Sequence, residues 1–148
     1  MSDFLITLIT AIIGAVGFAF LFSVDLRQLP FCALGGGISW MVYLAVFSPT
    51  GDILTASVAA AFAATLFSEL CAQFRRTPAT VFLLPSLIPL VPGSSLYYTM
   101  SNLISANYPA AASYAIETVK FMLGLSCGVL AASLIVTAIK NIKPARKN

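Results

Sequence analysis

The charges of this chain are sorted. Its eight basic and five acidic side chains leave long tracts with no charge at all: Phe4–Val24, Gln28–Gly51, Ile53–Ser68, Thr77–Ile116 and Phe121–Ile139. A helix that crosses about 30 Å of hydrocarbon needs about 20 largely apolar residues. Most of these tracts reach that length, and the third does so if it runs through Glu69 to about Phe74. Only 9% of the 148 residues are charged and 59% are hydrophobic, whereas a soluble domain carries about 25% charged residues. The fold class is therefore all-α, a polytopic membrane helix bundle forming a single membrane domain over residues 1–148. The expected spans are about 4–24, 31–47, 53–73, 79–105 and 115–139, with a basic tail over 140–148.

The N-terminus opens Met-Ser-Asp with no basic residue ahead of the apolar tract. That is unlike a signal peptide, so 4–24 reads as a retained span. The net charge of +3 does not point to nucleic acid, because Lys140, Lys143, Arg146 and Lys147 form a short tail behind the last span. With five crossings, Arg27, Arg75, Arg76 and that tail share one side and only Lys120 falls on the other. Lysine and arginine concentrate in the cytoplasm, so the N-terminus is expected outside and the C-terminus inside. A hairpin within Thr77–Ile116 would instead put the tail opposite Arg75 and Arg76. A surface segment around Ser105–Tyr114 takes up the extra length.

The fourth span carries the strongest functional signal. Pro85, Pro89 and Pro92 are spaced by four and three and are followed by Gly93-Ser94-Ser95. Each proline inside a helix costs about 3 kcal/mol and strips a carbonyl of its partner; here these are the carbonyls of Val81, Pro85 and Ile88. Such backbone survives at membrane depth only against protein or a water-filled cavity. Gly93 is expected to allow a sharp turn, and Ser94 or Ser95 to cap a new helix. Ser94, Tyr98, Ser101 and Ser105 then form a polar stripe. A half-helix starting there aims free N–H groups and a positive dipole end at what lies before it, a device that transporters use for substrate carboxylates. The plainer reading is a kinked structural helix.

Other residues have competing readings. Glu69, set within a span, is either a coupling acid for a proton or ion or an interfacial group near Arg75 and Arg76. Glu117 and Lys120 are expected to pair as an outer anchor. Gly124-x3-Gly128-x3-Ala132 and Ala56-x3-Ala60-x3-Ala64 are close-packing faces; the first could serve packing within the chain or a homo-oligomer. Gly35-Gly36-Gly37 reads as a closely packed part of the second span. Trp40, Tyr43, Tyr108 and Tyr114 suit interfacial belts. Cys32, Cys71 and Cys127 read as buried small hydrophobes. With no histidine in the chain, neither a zinc site nor a Cys–His nucleophile is expected. No cofactor is expected, and enzyme chemistry fits poorly.

The run Pro89-Leu-Val-Pro92-Gly93-Ser-Ser-Leu-Tyr97-Tyr-Thr-Met100 resembles the signature of the C-terminal half of threonine/serine exporters. Gly17-Phe18-Ala19 with Phe22, and Gly36 with Trp40, add weaker matches, and the likeness covers nearly the whole chain. The resemblance implies a bacterial-type inner-membrane subunit working with a larger membrane partner. It also implies export of threonine, serine or, in some members, a C4 dicarboxylate such as succinate, and an inverted-repeat relation between the halves. By motif only Pro89, Pro92, Gly93, Tyr97 and Met100 carry over; Ser94, Ser95, Tyr98 and Ser101 join the expected site through helix geometry. The competing functions are a homo-oligomeric channel built on Gly124 and Gly128, and an accessory membrane subunit that touches no substrate.

Overall fold

The computed structural model describes residues 2–142, and side chains over residues 4–140. Lys143, Arg146 and Lys147 of the expected tail lie outside the described residues. Helices α1 (Ser2–Leu21), α2 (Leu29–Thr50), α3 (Ile53–Arg75), α4 (Thr80–Leu87), α5 (Gly93–Ile104) and α6 (Tyr108–Ile142) make up the chain, with a 3₁₀ turn over Ile88–Leu90 between α4 and α5. Among the described residues there is no strand. Helices α1, α2, α3 and α6 are each long and apolar enough to cross a membrane. Thr80–Leu90 and Gly93–Ile104 together make a further crossing bent by 50°.

α3 is the central helix, packing on α2 along one side and α6 along another. Ala56, Ala60, Ala61 and Ala64 are fully buried; small side chains let the neighbouring backbones close in where lipid offers no hydrophobic drive. α6 completes the seam with glycine. A Cβ on Gly124 would lie 2.7 Å from Ser57 Cβ and 2.9 Å from the Leu54 carbonyl oxygen, and one on Gly128 would overlap the Val58 carbonyl. The Gly124–Gly128 face is thus occupied by α3 of the same chain, and a homo-oligomer would need another surface. Gly36 is equally confined, its Cβ position 2.5 Å from Ala15 Cβ on α1.

The ends of the bundle differ in charge. Arg75 Nε donates to Gln28 Oε1 at 3.1 Å and its guanidinium reaches the Arg27 carbonyl at 3.3 Å, locking the end of α3 to the α1–α2 loop. Lys140 joins this end through Glu69. At the opposite end Asp52 caps α3, accepting from the Thr55 N–H at 3.1 Å. That hydrogen bond holds the Asp52 carboxyl below its ordinary range, with a smaller pull from the Lys120 charge.

Several expectations need correction. α6 is one helix of 35 residues, about 52 Å at 1.5 Å per residue, so no surface segment spans Ser105–Tyr114; the turn is confined to 105–107. Tyr43 is not at an interface: it is buried, with rings stacked on Trp40, Phe47 and Phe121 at 5.5, 5.6 and 5.5 Å. Cys32 and Cys71 are buried, but Cys127 is exposed on the outer face of α6.

Candidate functional site

The proline run breaks the fourth crossing where its sequence requires. α4 carries Pro85 in its interior, tightens into the 3₁₀ turn at Ile88–Leu90, and then Val91 turns extended (φ −69°, ψ 125°). Pro92 (φ −76°, ψ 55°) leads directly into α5 at Gly93. The freed carbonyls face protein. Cys32 Sγ donates to the Val81 carbonyl at 3.7 Å and Ser39 Oγ to the Ser86 carbonyl at 2.7 Å, both from α2. The Ile88 carbonyl takes the Val91 N–H at 3.1 Å. α2 can come this close because Gly35 has no side chain; a Cβ there would overlap Ser86 Oγ. Pro85, Ser86 and Leu90 are accordingly buried.

Beyond the break the surroundings change. Pro89 is half-buried and lines a cavity of about 360 Å³ with Thr7, Thr10, Ala11 and Trp40, between α1, α2 and the turn. The Trp40 indole Nε1 is buried with no hydrogen-bond partner among the described residues, an uncommon state for a buried donor. Neither Ser94 nor Ser95 caps α5. The helix starts one residue earlier than a serine cap allows, with Pro92 at the cap position and no side-chain cap bond. The Gly93 N–H bonds to the Val91 carbonyl at 2.8 Å and the Leu96 N–H to that of Pro92 at 3.0 Å. The Ser94 and Ser95 amides between them have no recorded backbone or side-chain acceptor among the described residues. A helix leaves its first amides unsatisfied unless something caps them, and it concentrates partial positive charge there.

Gly93 does not act as a flexible hinge. Among the positive-φ glycines Gly51 appears and Gly93 does not, so Val91 and Pro92 make the bend. What distinguishes Gly93 is room: a Cβ added there would meet nothing within 4 Å. Gly93 and Ser94 are exposed and Pro92 is buried. Ser95 turns inward and its hydroxyl donates to Glu117 Oε2 on α6 at 3.3 Å. Tyr98 packs on Tyr114 with ring centroids 5.3 Å apart, and exposed Tyr97 meets Tyr98 edge-on at 5.5 Å. Ser101 is half-buried and Ser105 exposed. The break, Gly93, Ser94 and Ser95 thus stand together, while Tyr97 and Ser101 lie one to two turns further along α5.

The two intramembrane-flank acids exchange the roles expected of them. Glu69 is paired: Lys140 Nζ lies 2.7 Å from its Oε2, tying α3 to α6 at the basic end. Glu117 does not pair with Lys120; Lys140–Glu69 is the ion pair formed among the described residues, and Glu117 accepts from Ser95 instead. The spacing of 117 and 120 gave no hint of this, because Ser95 reaches Glu117 only through the hairpin that α5 makes with the start of α6.

A bundle with four apolar crossings and a further bent one, broken at prolines and opening on an uncapped half-helix, defines a multi-pass membrane protein of the transport class. Over residues 7–135 the chain matches the family described as Threonine/Serine exporter, ThrE, and it belongs to that family. No solved structure matches it.

Proposed function

We propose that this chain is one half of an exporter of small carboxylate-bearing amino acids, acting with a larger membrane subunit, and that the head of α5 receives the substrate carboxylate. One observation carries the reading: a half-helix begins with free amides at Ser94 and Ser95, beside a glycine that faces open space. An anion at such a point gains both hydrogen bonds and the helix dipole. Pro89, Pro92 and Gly93 build the turn; Ser94 and Ser95 offer the amides; Tyr97, Tyr98 and Ser101 extend the wall along α5.

The partner is proposed because α5 packs extensively against α6 alone, which leaves the head of α5 open on its Gly93 side. Two halves with an odd number of crossings are inverted relative to each other, and such repeats hold substrate at their junction. We place the basic end, with Arg27, Arg75 and Lys140, in the cytoplasm of a bacterial-type inner membrane. The uncapped start of α5 then lies toward the outer side. Glu69 is the proposed coupling acid, its carboxylate passing between Lys140 and a proton. A C4 dicarboxylate is the second substrate class consistent with a carboxylate-binding helix head.

The test is threonine export from cells expressing the chain with its proposed partner. Gly93→Val should abolish export while the protein reaches the membrane in normal amount, since the added side chain enters open space. Undiminished export by that variant would remove the site.

A further inference from the structure

The carboxylate of Glu117 is the nearest charged group to the head of α5, and it has no cation. Its Oε2 lies 3.3 Å from Ser95 Oγ, on the third residue of α5. Within 4.0 Å it meets no lysine or arginine among the described residues. The titratable neighbours on each packed element are accounted for. Tyr98 of α5 faces Tyr114 of α6; Tyr43 of α2 lies close enough to feel the Glu117 charge; and Lys120, a turn along α6, directs its charge toward Asp52 ahead of α3. A half-buried carboxylate thus stands beside a cluster of unpaired amides carrying partial positive charge. The two poles are one side chain apart, and both are open to a ligand on the Gly93 side.

A zwitterion fits that arrangement and a dianion does not. We propose that Glu117 receives the α-ammonium group of the substrate while the head of α5 holds its α-carboxylate, so that Glu117 selects amino acids over hydroxy acids and dicarboxylates. The inference rests on the reading of α5 as the carboxylate site. It assigns Glu117 a specificity role in place of an outer anchor, and it favours threonine or serine over a C4 dicarboxylate, whose second carboxylate would meet Glu117 as a like charge.

The experiment compares export of labelled threonine with that of labelled 3-hydroxybutyrate, which has the same carbon chain and carboxylate but no amine. Vesicles come from cells in which the chain supports threonine export, and both compounds are used well below saturation. With Glu117 present, threonine should be preferred by about 10-fold or more, the usual scale for a charged hydrogen bond. Glu117→Gln should bring the ratio close to one by slowing threonine and sparing 3-hydroxybutyrate. Equal export of the two by the unaltered protein, or an undiminished preference in Glu117→Gln, would overturn the proposal. Should Glu117→Gln fail to accumulate or carry neither compound, Glu117→Asp decides: its shortened side chain must reduce the ratio, and an unchanged ratio refutes the role. Gly93→Val separates the two readings, because it should stop both compounds. If it stops neither, the α5 head is at fault rather than Glu117.

Discussion

Glycine serves opposite ends in two parts of this molecule. Along the α3 seam, Gly35, Gly36, Gly124 and Gly128 are positions where a single added carbon would collide with a neighbouring helix. At the head of α5, Gly93 has no neighbour within 4 Å of the same added carbon. The seam uses the missing side chain to bring backbones together, and every buried alanine on α3 serves that closeness. The break uses it to keep a space clear in front of unpaired amides. One residue type marks both the tightest and the most open places, and the surroundings alone tell them apart.

The largest effect should come from filling the seam. Gly128→Leu forces α6 away from the Val58 carbonyl and Ala61, and overpacking of this kind costs roughly 1–3 kcal/mol or more; with backbone in the way the protein should not accumulate in the membrane. Normal accumulation and melting of that variant in detergent would break the contrast. Gly93→Val should do the reverse, with normal accumulation and no export. Ser39→Ala comes next. It leaves the Ser86 carbonyl without the hydroxyl that now donates to it at 2.7 Å, and an unsatisfied buried acceptor costs about 1–3 kcal/mol. The melting temperature should fall, and an unchanged one would mean that the broken backbone is satisfied in another way. The smallest stability effect belongs to Glu69→Gln. The Lys140 side chain is 53% exposed, and such a pair contributes about 0–1 kcal/mol. The protein should melt almost normally while proton-coupled export is lost; full export with a normal pH dependence would leave Glu69 as a tie between helices.

The break was legible in the sequence because proline chemistry is local: Pro85, Pro89 and Pro92 each exclude a helical hydrogen bond wherever the chain goes. The identity of the helix cap was not. Ser94 and Ser95 are good capping residues, but the extended Val91 lets Pro92 take the cap position, and that depends on how α2 holds the preceding turn. Pairing was hidden for the same reason. Glu69 meets a lysine 71 residues away and Glu117 a serine 22 residues away, so neither partner follows from helical spacing. The small-residue repeats announced close packing of α3 and α6, and only the fold shows that they pack on each other.

The most direct measurement is thiol labelling at the head of α5. With Cys32, Cys71 and Cys127 replaced, Ser94→Cys is treated with a membrane-impermeant maleimide applied on the side opposite the basic end, with and without threonine. If the head of α5 opens to water and holds substrate, the thiol is modified quickly and threonine slows the reaction. A thiol that stays unmodified, or one that reacts equally fast at saturating threonine, would contradict a substrate site at the break.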